Sequence, residues 1–376
     1  MHYVVVGAGP AGVTACDTLR EQDPQCRITL IGGEPEPPYS RMAIPYLMVE
    51  KIAEHGTYLR QNDSHYADRS IDLVDGPVER VDPHSKQVVL ANGSALDYDR
   101  LLIATGATPI KPPIPGIDLP GVHNCWTMAD TRAIVERAKP GSSVVLVGAG
   151  FIGCIILEAL VMREVNLTVV EKAPRMVARM MDEVASELLK SWCESKGVNV
   201  HTDEGVTRIA QHGDALQISL NNGHSLTAGL VITAMGVRAN TAFLEGSGIE
   251  VDHGIVVNAH FQTNFPDIYA AGDVAQGLDF STGINQVRLI SSSFGQWMGV
   301  ENGEQAVLLD RQNYRYLRLE FDGEYLVGAS SLGHTQHIGV LRGLIRSRVP
   351  LGGWKARLMK DPSRLMEAYL GSVVSA

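Results

Sequence analysis

The sequence predicts an α/β protein with two parallel-sheet units built on the same strand, turn and helix pattern. A buried strand at 3–6 runs into Gly-Ala-Gly-Pro-Ala-Gly at 7–12, and the pattern returns at 144–153, with Gly148 lying 141 residues after Gly7. A stiff proline-rich stretch at 109–116 separates the two copies. Together these features predict two similar units joined by a linker.

The first glycine turn has the G-x-G-x-x-G spacing that holds a dinucleotide. Gly7 permits the tight bend, Gly9 lets the backbone approach a pyrophosphate, and Gly12 lets the next helix pack close. That helix, at 13–22, directs its first amides at the diphosphate. A glycine turn without a ligand is the alternative, but two copies in one chain argue against it. We therefore expect two dinucleotides, the first held at Gly7, Gly9, Pro10, Ala11 and Gly12.

An acidic and an aromatic stretch follow the second strand, at 27–31. Glu34 lies 27 residues after Gly7 and is placed to accept hydrogen bonds from an adenosine ribose. Glu36 competes for this role, and a solvated loop carboxylate is the alternative. Arg41, in Pro-Pro-Tyr-Ser-Arg, is suited to pair with a phosphate; otherwise it is a surface arginine.

Short strands at 78–90 and 98–104, with an Asn-Gly turn at 92–93, predict an antiparallel meander over one face of the parallel sheet. The meander closes on Ala104, Thr105 and Gly106. The proline-rich linker that follows is the clearest domain boundary.

The second unit covers about 126–240. Its strand at 167–170 ends in Glu171, 23 residues after Gly148, which fits a carboxylate that binds ribose. A carboxylate favours the free 2′-hydroxyl of NADH over the phosphate of NADPH. Lys172 and Arg175 follow closely and moderate that preference.

A third polar position follows the apolar run 268–271. The pattern predicts that Gly272 and Asp273 follow the end of a strand and place the Asp273 carboxylate at a ligand. The alternative for Asp273 is a helix cap.

The last region, 316–376, has strands at 317–321 and 325–330 around an Asp-Gly turn, followed by helices rich in leucine and arginine. Its concentrated cations make a candidate docking face for an acidic partner, with an ordinary solvated helix surface as the alternative. They are Arg342, Arg346, Arg348, Lys355, Arg357, Lys360 and Arg364.

Composition narrows the function classes. With 45% hydrophobic and 20% charged residues the chain is typical of globular proteins, and a net charge of −10 disfavours nucleic-acid binding. A strand from residue 3 leaves no room for a secretory leader, and Glu158 interrupts the longest apolar segment, 151–162, so we expect a cytoplasmic protein without a membrane span. Five cysteines without C-x-x-C spacing indicate no disulfide framework and no metal site.

Taken jointly, residues 1–280 resemble the FAD-dependent pyridine nucleotide-disulfide oxidoreductases, in the branch of rubredoxin and ferredoxin reductases and the flavin part of NADH nitrite reductase. The motifs that carry the resemblance are Pro-Tyr-Ser-Arg at 38–41, Ala-Thr-Gly at 104–106, Gly-Phe-Ile-Gly at 150–153, Gly-Val-Arg-Ala-Asn at 236–240 and Ala-Gly-Asp at 271–273.

This resemblance implies two Rossmann-like (three-layer ββα) domains, the NADH domain inserted in the FAD domain, and a small α+β C-terminal domain. The implied boundaries are 1–107 with 241–287 for FAD, 108–240 for NAD(P)H and 288–376 for the interface domain. The implied FAD site adds Glu34, Arg41, Ala104, Thr105, Gly106, Gly272 and Asp273 to the first turn. The implied NADH site comprises Gly148, Gly150, Phe151, Ile152, Gly153, Glu171 and Gly236.

The implied activity is hydride transfer from NADH to FAD, followed by electron transfer to a protein acceptor such as a rubredoxin. The flavin carries the chemistry, so no side chain is assigned as catalytic. An NADH oxidase that reduces dioxygen, and a flavin-bound sensor or assembly subunit, are the alternatives. A homo-oligomer is compatible with all three.

Three departures from the family pattern stand out. Met42 occupies the place of the cysteine found in coenzyme A disulfide reductases, which disfavours thiol chemistry. Ile155 replaces a nicotinamide-contacting glutamate, with Cys154 before it as a packing residue and Glu158 one turn on. Compared with the family pattern, about 30 residues are absent around 287–293. Either the chain has a natural deletion there or the sequence joins across a missing segment, and the pyrimidine end of the flavin site is unassigned.

Overall fold

The first sheet of this computed structural model, which describes residues 1–278, 285–287, 294–334 and 336–373, is five-stranded and wholly parallel. Its order is Ile268–Ala270, Arg100–Ile103, His2–Val6, Arg27–Gly32, Ile71–Asp75. In the central strand, Val5 pairs with both Leu30 and Leu102. The inner strands are buried on both faces, which explains their runs of Val, Ile and Leu, whereas the edge strand Ile71–Asp75 is largely exposed.

Different layers cover the two faces of this first sheet. Helix Pro10–Gln22 packs on one face and buries Val13 and Cys16. A three-stranded antiparallel sheet lies over the other: Val78–Asp82, Gln87–Leu90, Ala95–Asp97. The strands predicted at 78–90 are therefore confirmed, whereas the third strand of the meander, Ala95–Asp97, precedes the predicted 98–104. Strand Arg100–Ile103 was assigned to it wrongly, because this strand pairs in parallel with His2–Val6.

The second sheet repeats the plan. Its five parallel strands run in the order Asn199–His201, Asn166–Val170, Ser143–Val147, Leu230–Thr233, Val122–Asn124. Helices cover one face: Met128–Arg137, Phe151–Met162, Glu183–Ser195. An antiparallel sheet covers the other: Val206–His212, Ala215–Leu220, Ser225–Ala228.

Two connections join the repeated units. Ala107–Pro109 and Val237–Ala239 pair as an antiparallel ribbon that takes the chain into the second unit and back. The excursion between strands Arg27–Gly32 and Ile71–Asp75 forms short helical turns: Arg41–Ala43, Ile44–Met48, Glu54–Thr57, His65–Asp68. Its Ile44 and Met48 are buried in the core of the second sheet, so the excursion docks one unit on the other.

The remaining elements follow the second unit. A short helical turn, Ala242–Leu244, precedes a small sheet of Ile255–Val256, Ala275–Leu278 and Asn285–Val287. A four-stranded antiparallel sheet then has the order Phe294–Gly295, Tyr325–Leu332, Arg315–Asp322, Glu304–Asp310. Helices Ile338–Ser347, Gly353–Lys360 and Leu365–Val373 pack on it. The deletion expected around 287–293 falls on 288–293, outside the described residues.

Among the described residues, no helix combines the length and the apolar character that a membrane crossing needs.

Candidate functional site

The first glycine turn shows why each glycine is present. Gly7 has φ of +114°, and a β-carbon there would come within 3.0 Å of the Ala104 carbonyl oxygen. A β-carbon at Gly12 would collide in the same way with the Gly7 carbonyl. At Gly9, in contrast, no protein atom lies within 4 Å of such a carbon. Packing therefore requires the outer two glycines, while Gly9 leaves open space at the start of helix Pro10–Gln22.

The second glycine turn divides its glycines in the same way. Gly148, with φ of +103°, lies against the Ala234 carbonyl, and Gly153 lies against the Gly148 carbonyl. Gly150 again has nothing within 4 Å and immediately precedes helix Phe151–Met162. Both turns thus keep a helix N-terminus accessible, which suits a diphosphate.

Two further segments converge on the first turn. Ala104 is the residue that Gly7 approaches, and a β-carbon at Gly272 would lie 3.3 Å from that of Ala11. Gly272 and Asp273 therefore sit beside the beginning of the first helix. Asp273 precedes strand Ala275–Leu278, so the helix-cap alternative does not hold.

A cavity of about 270 Å³ opens at Asp273. Its other walls come from the antiparallel ribbon that joins the repeated units and from one loop: Ala107, Ile110, Val237, Arg238, Ala239 and His253. Burial raises the pKa of the Asp273 carboxyl, and the positive charge of Arg41 opposes that rise. The carboxylate is thus partly removed from water at the rim of a ligand-sized space.

Glu34 and Arg41 form one cluster. The Glu34 carboxylate accepts hydrogen bonds from the Tyr39 hydroxyl at 2.7 Å and from an Arg41 guanidinium nitrogen at 2.5 Å. The guanidinium also lies 5.3 Å from the Tyr39 ring centre and 5.5 Å from that of Trp126. Glu36, the competing acid, instead forms an ion pair with Arg132. The proline- and aromatic-rich stretch of the sequence did not indicate a role for Trp126, because only tertiary packing brings this residue next to Arg41.

Thr105 and Gly106 are held by a residue to which sequence reasoning gave no role. The Asn240 side chain donates to the Thr105 carbonyl at 2.8 Å and accepts from the Thr108 hydroxyl at 2.6 Å. Its backbone N–H donates to the Gly106 carbonyl, and its carbonyl accepts from the Thr105 hydroxyl. The motif at 236–240 was visible in the sequence, but its contact with residues 135 positions away was not.

Glu171 lies at the second glycine turn. Its carboxylate accepts the Ala149 N–H at 2.6 Å and the Ala173 N–H at 2.7 Å. The carbonyl of Ala149 accepts the N–H of Val177 at 2.8 Å. Both peptide groups of Ala149 are thus fixed by the loop that begins with Glu171.

Residues 154, 155 and 158, where the sequence departs from the family pattern, lie on the helix that follows the second glycine turn. Ile155 is half-buried and Glu158 is exposed on helix Phe151–Met162. The Cys154 sulfur lies 3.7 Å from the Ala149 carbonyl oxygen, and burial raises the pKa of this thiol to about 12. A protonated, packed thiol supports the packing role predicted for Cys154.

The basic residues of the C-terminal helices separate into two groups. Lys355 pairs with Glu304, Arg364 pairs with Glu367, and Arg357 stacks 4.3 Å from the Trp354 ring centre. Within the described chain, no carboxylate lies within ion-pair distance of the rest: Arg342, Arg346, Arg348 and Lys360. Arg342 and Arg346 are exposed and one helical turn apart.

Comparison with known proteins adds three findings. The family model described as pyridine nucleotide-disulphide oxidoreductase matches residues 1–296. Rhodocoxin reductase of Rhodococcus erythropolis is 33% identical over 277 residues, 73% of this chain and 65% of that protein, so the chain spans about two-thirds of its length. The NADH-dependent phenylglyoxylate dehydrogenase subunit epsilon of Aromatoleum evansii is 27% identical over 401 positions, 96% of this chain and 95% of that protein.

Among solved structures, the covalent putidaredoxin reductase-putidaredoxin complex contains a chain of the same fold. It superposes with a TM-score of 0.89 at 23% identity and covers 99% of this chain and 98% of that chain.

Proposed function

This chain belongs to the pyridine nucleotide-disulphide oxidoreductase family, and from that premise we propose that it passes electrons from NADH through FAD to a protein acceptor. Membership confirms the predicted family, the fold class and the enzyme class, an oxidoreductase that uses FAD with NAD(H). The observation that supports the proposal most directly is the pair of open middle glycines, Gly9 and Gly150, each before a helix. One chain thus offers two diphosphate cradles.

We assign FAD to the first cradle. Gly9 and the first turn of helix Pro10–Gln22 hold the diphosphate, and Glu34 accepts from the adenosine ribose, with Arg41 beside it to balance the charge. Asp273, at the rim of the cavity, binds the polar chain of the cofactor, and the turn at Thr105 lies beside the same cofactor. When bound, FAD supplies hydride acceptance and electron transfer. The residues of the chain bind and orient it.

NADH is assigned to the second cradle. Gly150 opens the helix N-terminus to its diphosphate, and two N–H groups hold the Glu171 carboxylate at the turn. A fixed negative charge there accepts from a free 2′-hydroxyl and repels a 2′-phosphate. Hence NADH is preferred, and NADPH is the poorer donor.

The acceptor is proposed from charge and from the relatives. Rhodocoxin reductase and the putidaredoxin reductase complex each carry the name of a redox-protein partner. In this chain Arg342 and Arg346 form an exposed cationic edge on an otherwise acidic protein of net charge −10. An acidic redox protein, or an acidic subunit of the same assembly, fits that edge. A homo-oligomer, a cytoplasmic location and the domain boundaries stay predictions.

The experiment that tests the proposal is anaerobic rapid mixing of the FAD-loaded protein with NADH and, separately, with NADPH. Loss of the oxidised flavin absorbance, at about 450 nm, that is faster with NADH is the expected result. If neither nucleotide bleaches bound flavin, the oxidoreductase proposal is wrong and the sensor alternative gains support. Fast oxygen uptake without any protein acceptor would instead favour the NADH oxidase alternative.

A further inference from the structure

The loop of residues 171–182 contacts the second glycine turn near its start and the C-terminal sheet at its end. At its start, Glu171 accepts the Ala149 N–H. In its middle, Val177 donates its N–H to the Ala149 carbonyl at 2.8 Å. The loop therefore grips the residue between Gly148 and Gly150, where the diphosphate of NADH is proposed to bind.

Val177 holds this contact in an unfavourable backbone conformation. Its φ of +46° lies in the left-handed region, which a β-branched residue rarely adopts. The side chain is buried in the core of the second unit. Such a conformation persists only where the surrounding structure imposes it, so the ends of the loop must be firmly held.

The C-terminal sheet provides the hold at the far end. One oxygen of Asp182 caps helix Glu183–Ser195 by accepting the Ala185 N–H at 3.0 Å. The other oxygen accepts from the Tyr316 hydroxyl and, at 3.0 Å, from Arg318. Both donors lie on strand Arg315–Asp322, outside the second unit.

The same guanidinium is anchored on its own strand. Arg318 also donates through Nε to Glu320, whose side chain is 4% exposed. Tyr316 is fully buried, and the side chains of Asp182 and Arg318 are about one-fifth exposed. Charge-assisted hydrogen bonds of low exposure fix geometry more firmly than surface pairs do.

We propose that Tyr316 and Arg318 are positioning residues for the NADH turn, acting through Asp182 and the 171–182 loop. The C-terminal sheet then sets the shape of the nucleotide site that it does not touch. This inference rests on the proposed function for the identity of its ligand, while the mechanical link exists without the ligand.

Two conservative variants test the link in the full-length, FAD-loaded protein. Tyr316→Phe keeps the buried ring and removes the hydroxyl donor. Asp182→Asn keeps a residue that caps helices well and loses the charged acceptor. The matched control is Arg311→Ala, which breaks the exposed pair that Arg311 makes with Glu187, on the same helix and across the same interface.

The first readout is hydrogen-deuterium exchange of peptides from 148–153 and 171–182, measured without nucleotide. We expect exchange at least about threefold faster in both conservative variants and unchanged in Arg311→Ala. Unchanged exchange in Asp182→Asn overturns the proposal, as does equal acceleration in the control.

The second readout is steady-state reduction of ferricyanide. We expect the KM for NADH to rise about fivefold in the two variants, with kcat within about twofold and FAD content unchanged. A purely structural role lowers the melting temperature without moving KM. If NADH does not bleach the flavin of the wild-type protein, the proposed function is wrong. The exchange experiment, which uses no nucleotide, still tests the link between Asp182 and the second glycine turn.

Discussion

The side-chain amide of Asn240 donates a hydrogen bond of 2.8 Å to the carbonyl oxygen of Thr105. Thr105 lies just before, and Asn240 just after, the two strands of the antiparallel ribbon Ala107–Pro109 and Val237–Ala239, beside the turn proposed to meet FAD. The segment that returns from the second unit therefore shapes the proposed FAD site directly.

Asn240→Ala should weaken FAD binding by about tenfold. The variant loses the hydrogen bonds to Thr105 and Thr108, each of which contributes about 1 kcal/mol. The dissociation constant can be measured by fluorescence titration of deflavinated protein. Asn92→Ala is the control, since the Asn92 side-chain oxygen accepts two hydrogen bonds, from the N–H and the hydroxyl of Ser94, in an exposed turn. Equal losses in both variants would rule out a specific role for Asn240.

The middle glycines should separate ligand binding from folding. Gly9→Ala is expected to lower the free energy of unfolding by only about 1 kcal/mol, because nothing in the chain lies within 4 Å of the added carbon. Its FAD content should nevertheless fall strongly. Gly150→Ala should retain FAD and lose reduction by NADH. Gly7→Ala, which clashes with Ala104, should misfold and provides the contrast.

Glu171→Gln should alter nucleotide preference. Loss of the negative charge removes repulsion of a 2′-phosphate and weakens the hold on Ala149. We expect the ratio of kcat/KM for NADH over NADPH to fall by about tenfold. Glu158→Gln, an exposed change on the neighbouring helix, is the control. An unchanged ratio would show that Glu171 does not set the preference for NADH over NADPH.

Charge reversal at Arg342 and Arg346 should impair transfer to an acidic protein acceptor. The expected result is a rise of about tenfold in the acceptor KM at low salt, which disappears at high salt through screening. Ferricyanide reduction, which needs no docking, should stay the same. Reversal at Arg27, an exposed cation distant in the chain that pairs with Asp72, is the control. An acceptor KM unaffected by the double reversal would eliminate this docking edge.

Acid should weaken the contact between the C-terminal sheet and the 171–182 loop. Burial raises the pKa of Asp182, but hydrogen bonds from Ala185, Tyr316 and Arg318 outweigh it and hold the pKa below its usual 3.8. A depressed carboxyl pKa stabilises the fold above the unfolded pKa, and this contribution is lost as pH falls through the folded value. Melting temperatures from pH 7 to pH 3 should therefore fall less steeply in Asp182→Asn than in the wild type. Parallel curves would show that Asp182 has no part in the acid response.

Local patterns in the chain were sufficient for the fold class. Gly7 and Gly148 could be recognised because a glycine turn after a buried strand is a local requirement of backbone geometry. The same local logic located the second sheet, where Glu171 follows its strand at the expected spacing. It failed at strand Arg100–Ile103, since the choice between meander and parallel sheet depends on partners about 100 residues away.

The sequence by itself determined the two dinucleotide units and the residues at their turns, because spacing of glycines, strands and acids is encoded over a few tens of residues. Only the tertiary structure decided that Asn240 holds Thr105, that Glu36 is taken by Arg132 while Glu34 joins Arg41, and that Tyr316 reaches Asp182. Each of these contacts joins distant segments through side-chain hydrogen bonds. Such bonds follow from how the units pack on one another, which periodicity and spacing do not specify.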